Sequence, residues 1–135
     1  MTIVVCVDDL GGILFNRRRV SSDRAVISDI LKMTEQHPLR IREYSANLFP
    51  DNAAVYVADD YLMGANKGDY LFLEDVIADG IWGKAERCVV YHWNRLYPSD
   101  VKFPLEELLE RGKLESSVTF EGYSHSRITR EVYVL

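Results

Sequence analysis

The sequence predicts an α/β domain with a mostly parallel central sheet, covered on both faces and closed by an antiparallel strand pair near the C-terminus. Three observations point there. Residues 2–7 (Thr-Ile-Val-Val-Cys-Val) are almost all apolar and β-branched, the pattern of a strand buried on both faces. Strand-like and helix-like periods then alternate, so the early strands are expected to run parallel. Last, residues 113–120 and 127–134 alternate apolar with polar residues and are joined by Glu121-Gly122-Tyr123-Ser124-His125, as an antiparallel pair would be.

The elements follow in order. Asp8-Asp9-Leu10-Gly11-Gly12 ends the first strand with turn residues. Residues 13–20 show neither period and are expected to form an irregular excursion. Ser21-Ser22 offer an N-cap and Asp23 places negative charge in the first turn of a helix. Val26, Ile27, Ile30, Leu31 and Met33 give that helix its apolar stripe to about residue 35, and His37-Pro38 stops it. Residues 39–44 alternate like a half-exposed strand, 44–49 suit one helical turn, and 54–58 suit a strand. A short helix is expected over 60–66, capped by Asp59 and ending near Asn66-Lys67-Gly68. Residues 70–73 read as a strand, 74–84 as irregular, 87–93 as a strong strand and 94–102 as a loop. A helix over 104–111 is stopped by Gly112.

A chain of 135 residues suits one domain over 1–135, and no linker or repeat divides it. Its 47% apolar and 27% charged residues exclude disorder and fibrous classes. No run approaches the ~18–20 apolar residues of a spanning helix. The apolar start lacks a basic flank and runs into Asp8 and Asp9, unlike a signal peptide, so a cytoplasmic protein is expected. Cys6 and Cys88 lie in strand-like runs and read as buried thiols rather than a disulfide. The net charge is −5, and residues 51–135 hold nine Lys and Arg against fifteen Asp and Glu, which argues against nucleic-acid binding. Arg17-Arg18-Arg19 with Arg24 is the basic exception. It could hold an anion by bidentate contacts, or be a solvated loop paired to the acidic remainder.

The three histidines form no metal-binding motif, and no metal site is expected. His125 lies in Tyr123-Ser124-His125-Ser126, whose hydroxyls could orient an imidazole or simply form a turn. No Gly-x-Ser-x-Gly elbow supports a serine hydrolase. Residues 93–100 form the densest polar-aromatic loop, at the carboxyl end of a strand where α/β folds build ligand crevices. There Trp93 or Tyr97 could stack on a flat ring while Arg95 holds an anion; alternatively Trp93 anchors the loop and Arg95 pairs with Asp100. Asp8 and Asp9 could hold Mg²⁺, but turn formation is the favoured reading.

Several of these segments resemble the dihydrofolate reductase family. Residues 3–16 (Ile-Val-Val-Cys-Val-Asp-Asp-Leu-Gly-Gly-Ile-Leu-Phe-Asn) are similar to its opening strand, its Gly-Ile turn and the Asn before its flexible loop. Ala85-Glu86-Arg87 before an apolar strand resembles its "ADRLYLT". Asp100-Val101-Lys102-Phe103-Pro104 resembles "D-x-x-F-P", Lys113-Leu114-Glu115-Ser116-Ser117 resembles "W-x-L-V-S", and Arg130-Glu131-Val132-Tyr133 resembles "F-E-V-Y". The resemblance implies a three-layer dihydrofolate-reductase-like fold, with a crevice among Cys6, Asn16, Asp23, Ile27, Tyr44 and Tyr91.

The departures bear on activity. Arg17-Arg18-Arg19 stands where the family has Pro-Trp. Asp23 takes the position of the family's pterin-side carboxylate only across a short deletion; without a gap Val26 falls there. Tyr91 aligns with the supporting Thr. Glu74-Asp75 replaces the Gly-Gly that lets backbone approach the dinucleotide, and two carboxylates would repel its phosphates. These departures imply a domain without standard NADPH-dependent reduction that binds an unidentified small ligand or partner, with Arg17, Arg19, Trp93, Arg95 and His125 as further contact candidates. Two other readings stay open. One is an NAD(P)H-dependent reductase with an altered cofactor pose and Asp23 as proton relay. The other is a nuclease or phosphate-ester hydrolase using the arginines, Asp8, Asp9 and His125.

Overall fold

A computed structural model describes residues Met1 to Leu135. Its strands are β1 (Thr2–Val7), β2 (Gly12–Phe15), β3 (Arg18–Arg19), β4 (Leu39–Ile41), β5 (Val55–Val57), β6 (Tyr70–Leu73), β7 (Arg87–His92), β8 (Val101–Lys102), β9 (Lys113–Phe120) and β10 (Ile128–Val134). The helices are α1 (Arg24–Met33) and α2 (Leu105–Arg111), with 3₁₀ turns at Glu43–Leu48 and Ile81–Lys84. Seven strands form the central sheet in the order β5-β4-β6-β1-β7-β10-β9. All pairs from β5 to β7 are parallel, and β10 is antiparallel to both β7 and β9.

Pleating sorts the side chains into two cores. Ile3, Val5, Val7, Leu71, Leu73, Cys88 and Val90 point to the face covered by Phe103 and by Leu108 of α2. Val4, Phe72, Val89 and Tyr91 point to the other face, where Val26 and Ile30 of α1 pack. The apolar run of residues 2–7 thus reflects burial on both sides. Cys6 and Cys88 are free thiols on opposite faces, and burial pushes both thiols up. No helix is long and apolar enough to cross a membrane.

Two expectations need correction. Residues 13–20 form strand rather than irregular chain: β2 pairs with both β3 and β8 in a second, three-stranded sheet of order β3-β2-β8. Asn16 and Arg17 are the two turn residues between the pair Phe15 and Arg18, and both have positive φ (51° and 65°). That is type I′ turn geometry, ordinarily marked by Asn-Gly; arginine at the second position hides it. The second correction is the helix over 60–66, which is absent. Glycines 64 and 68 take φ of 74° and 92°, and Arg40 donates to the carbonyls of Met63 and Gly64, so the segment is a chain of turns.

Asp8 serves the turn after β1. Its Oδ1 accepts from the backbone N–H of Leu10 (2.9 Å) and Gly12 (2.7 Å), and its Oδ2 accepts from Tyr97 N–H (3.2 Å). Gly12 is packed so closely that a Cβ would lie 2.6 Å from both Ser99 Cβ and Ser99 Oγ, and 2.7 Å from Asp8 Oδ2. Gly12→Ala is therefore expected to cost roughly 1–3 kcal/mol, measurable as a lowered urea midpoint.

Candidate functional site

The N-terminus of α1 gathers a polar cluster that joins it to the β9–β10 connection. Asp23 is its N-cap residue (φ −156°), and Asp23 Oδ1 accepts from Ala25 N–H at 2.9 Å. The same carboxylate reaches across the chain to the β9–β10 connection. Oδ1 accepts from Tyr123 N–H (3.0 Å). Oδ2 accepts from Ser124 N–H (2.9 Å), Ser124 Oγ (3.1 Å) and His125 N–H (3.2 Å), and lies 3.0 Å from His125 Nδ1. Burial by itself would raise the Asp23 pKa. The N–H donors of Tyr123, the His125 ring, Ala25 and Ser124 outweigh it and hold the carboxyl well below its ordinary range.

An ionised Asp23 beside Nδ1 assigns a ring proton to that nitrogen, and Nε2 is the ring atom turned toward the neighbouring hydroxyls. Two hydroxyls face Nε2: Ser21 Oγ at 2.9 Å and Tyr97 OH at 3.0 Å, themselves 3.3 Å apart. Trp93 follows β7 and stacks on the imidazole, with centroids 4.6 Å apart and planes at 25°. Its Nε1 is the only buried side-chain polar atom without a hydrogen-bond partner.

A second network lies beside this one. Glu74, at the end of β6, is held by Arg19 through two bonds, Nε to Oε2 (2.8 Å) and Nη2 to Oε1 (3.0 Å), and by Ser45 Oγ to Oε1 (2.8 Å). Arg19 also stacks over the Tyr44 ring at 5.0 Å, donates to Tyr44 O and Asn47 Oδ1, and its backbone N–H donates to Tyr44 OH (2.8 Å). Asp75 pairs with Arg42 at 3.1 Å. Glu74 and Asp75 are thus neutralised by arginines instead of standing as two bare carboxylates. Neither carboxylate is the bare charge that the sequence expectation assumed.

The crevice between the networks is lined by Cys6, Ser21, Asp23, Ile27, Glu74 and Trp93 among others. It leaves only about 10 Å³ for the centre of a water-sized molecule, the scale of a single water. Of the residues singled out in the sequence, Cys6, Asp23, Ile27 and Trp93 line it, His125 packs against Asp23 and Trp93, and Arg19 and Tyr44 lie at the Glu74 side. Tyr91 does not join them. It is fully buried under α1, where its hydroxyl donates to Asp29 Oδ2 at 2.6 Å. Asn16 and Arg17 form the exposed tip of the β2–β3 turn. Arg95 does not pair with Asp100, whose Oδ2 instead accepts from Asn16 N–H; Arg95 lines a separate surface cleft of about 240 Å³ with Trp93, Asn94, Ser126 and Arg127. Ser21 and Glu74 are the site members not singled out as such. Ser21 read only as a capping serine, because its partner His125 lies 104 residues away.

The layers, strand order and antiparallel C-terminal pair define a dihydrofolate-reductase-like fold. Among solved structures, dihydrofolate reductase from Enterococcus faecalis, complexed with NADP(H) and RAB-propyl, superposes with a TM-score of 0.66 over 99% of this chain and 95% of that chain, at 12% sequence identity. No protein-family model matches the chain, and no curated protein matches it in sequence.

Proposed function

We propose that this chain is a dihydrofolate-reductase-like domain that does not carry out NADPH-dependent reduction and instead binds a different small ligand at the crevice mouth. The observation that carries the reading is the Arg19–Glu74 pair. Where the family it resembles keeps two glycines for close approach of a dinucleotide, this chain has a side chain anchored by three hydrogen bonds from Arg19 and Ser45. Opening that ground would expose a half-buried ion pair and leave Glu74 without its partner, at a cost of several kcal/mol. Asp23 supports the same reading, because its acceptor positions are taken by five donor groups of this chain besides the imidazole. We take the cytoplasm, the location expected from the sequence, as part of this reading.

Thermal unfolding with ligands tests this. A ligand at ~100 times its Kd adds ~2.7 kcal/mol and raises Tm by several degrees. NADPH, folate and dihydrofolate are each expected to leave Tm unchanged at millimolar concentration. A rise of several degrees with NADPH, together with NADPH oxidation in the presence of dihydrofolate, would overturn the reading.

A further inference from the structure

We propose that Ser21, His125 and Asp23 form a relay that activates the Ser21 hydroxyl for acyl transfer from small esters. This builds on the reading that the crevice is not a pterin site, and names a substrate class for it. The relay is continuous, and of the two hydroxyls at His125 Nε2, Ser21 Oγ (2.9 Å) lies nearer than Tyr97 OH (3.0 Å). Tyr97 OH donates to Ser21 Oγ (3.3 Å), Ser21 Oγ donates to His125 Nε2 (2.9 Å), and His125 Nδ1–H donates to Asp23 Oδ2 (3.0 Å). A nucleophile, a base within hydrogen-bond reach and a third group that orients the base are the three parts such chemistry needs.

The surroundings favour the same use. The His125 and Asp23 side chains are 3% and 0% exposed, so the base and its orienting carboxylate sit away from water, whereas Ser21 is half-buried at the rim. Trp93 clamps the imidazole plane by stacking. Trp93 is also a lining residue of this crevice, and its buried Nε1 has no hydrogen-bond partner within the chain. A purely structural latch between α1 and the β9–β10 connection needs the Asp23 bonds to backbone, but it does not need an imidazole whose Nε2 faces a serine hydroxyl.

The chemistry balances without a cofactor. Ser21 Oγ bonds to the ester carbonyl carbon as its proton passes to His125 Nε2. The ester C–O bond breaks and the leaving alcohol takes that proton. Water then attacks the acyl-serine, gives its proton to Nε2, and the acid departs as Ser21 regains a proton. The net reaction is ester plus water to acid plus alcohol. Tyr97 OH is the neighbouring hydroxyl donor for the oxyanion.

The test uses the full chain with p-nitrophenyl acetate and a fluorophosphonate probe. The expected result is steady p-nitrophenol release and a one-to-one probe adduct that peptide mass spectrometry places on Ser21. Ser21→Ala should abolish the adduct, and His125→Gln should lower turnover by ~10²–10⁴-fold. Asp23 is a positioning residue, so Asp23→Asn should lower kcat and move its pH profile while KM stays, a change that loss of stability does not produce. Thermal unfolding confirms that each variant is folded. A folded wild type with no adduct on Ser21, or turnover unchanged in Ser21→Ala, overturns the relay. NADPH binding plays no part in this assay, so a failure of the non-reductase reading registers separately in the ligand-shift experiment.

Discussion

Asp23→Ala should destabilise the fold by about 3–5 kcal/mol, the range for removing one partner of a buried charged cluster. The substitution takes the N-cap from α1 and strands the N–H groups of Tyr123, Ser124 and His125 together with His125 Nδ1. In a chain of this size that is a fall in Tm of at least ten degrees, read by calorimetry. Asp23→Asn should lose less, since the amide oxygen keeps part of the acceptor set. Acid titration gives the second signature. The folded pKa of Asp23 is depressed below its ordinary value of 3.8, so the unfolded chain binds the proton more tightly. Its contribution is complete above that ordinary value and is lost as pH falls through the lower, folded value. Wild-type stability should therefore drop by about 2–3 kcal/mol more than that of Asp23→Asn between pH 5 and the acid limit. Parallel acid limbs in the two proteins would show that Asp23 is not the anchor described.

The sequence carried the framework because framework depends on patterns within single segments. The almost wholly apolar strand at residues 2–7, the stripe Val26–Ile30 and the alternation after residue 127 each declare their burial locally. Ser124 and His125 were visible in the same way, as hydroxyls beside an imidazole. What joins them to the other end of the chain was not. Asp23 reaches His125 across 102 residues and Arg19 reaches Glu74 across 55, and no spacing rule encodes such meetings. The β2–β3 turn was hidden for a different reason. Its φ values suit glycine, yet Arg17 occupies one of them, held by tertiary contacts such as the bond from Tyr44 OH to Arg17 O. Glu74 reads in the sequence as a bare carboxylate, and only the fold supplies the guanidinium that pairs with it.

Tyr91 separates a core role from a crevice role, because its position in the family resemblance and its position in the fold disagree. In the fold it is a post between β7 and α1: its ring meets Phe120 edge-on at 6.4 Å, and its hydroxyl shares Asp29 Oδ2 with Arg130 Nη1, each at 2.6 Å. Burial foremost, and then the neighbouring Asp29 carboxylate, push the phenol far above its usual range, so it remains a donor at every pH the protein survives. Tyr91→Ala should then cost about 3–5 kcal/mol, because the helix and sheet cannot close over a void of that size. Tyr91→Phe should cost only about 1–3 kcal/mol, since Asp29 keeps its arginine and loses one hydrogen bond. A double-mutant cycle with Arg130→Met should show coupling between the two donors, which compete for and jointly satisfy one oxygen. Neither Tyr91 variant should change ester turnover per folded molecule, because the relay touches Tyr91 through no hydrogen bond. If Tyr91→Phe left stability intact but altered turnover, the hydroxyl would belong to the crevice after all, and the packing of α1 on β7 would need another anchor.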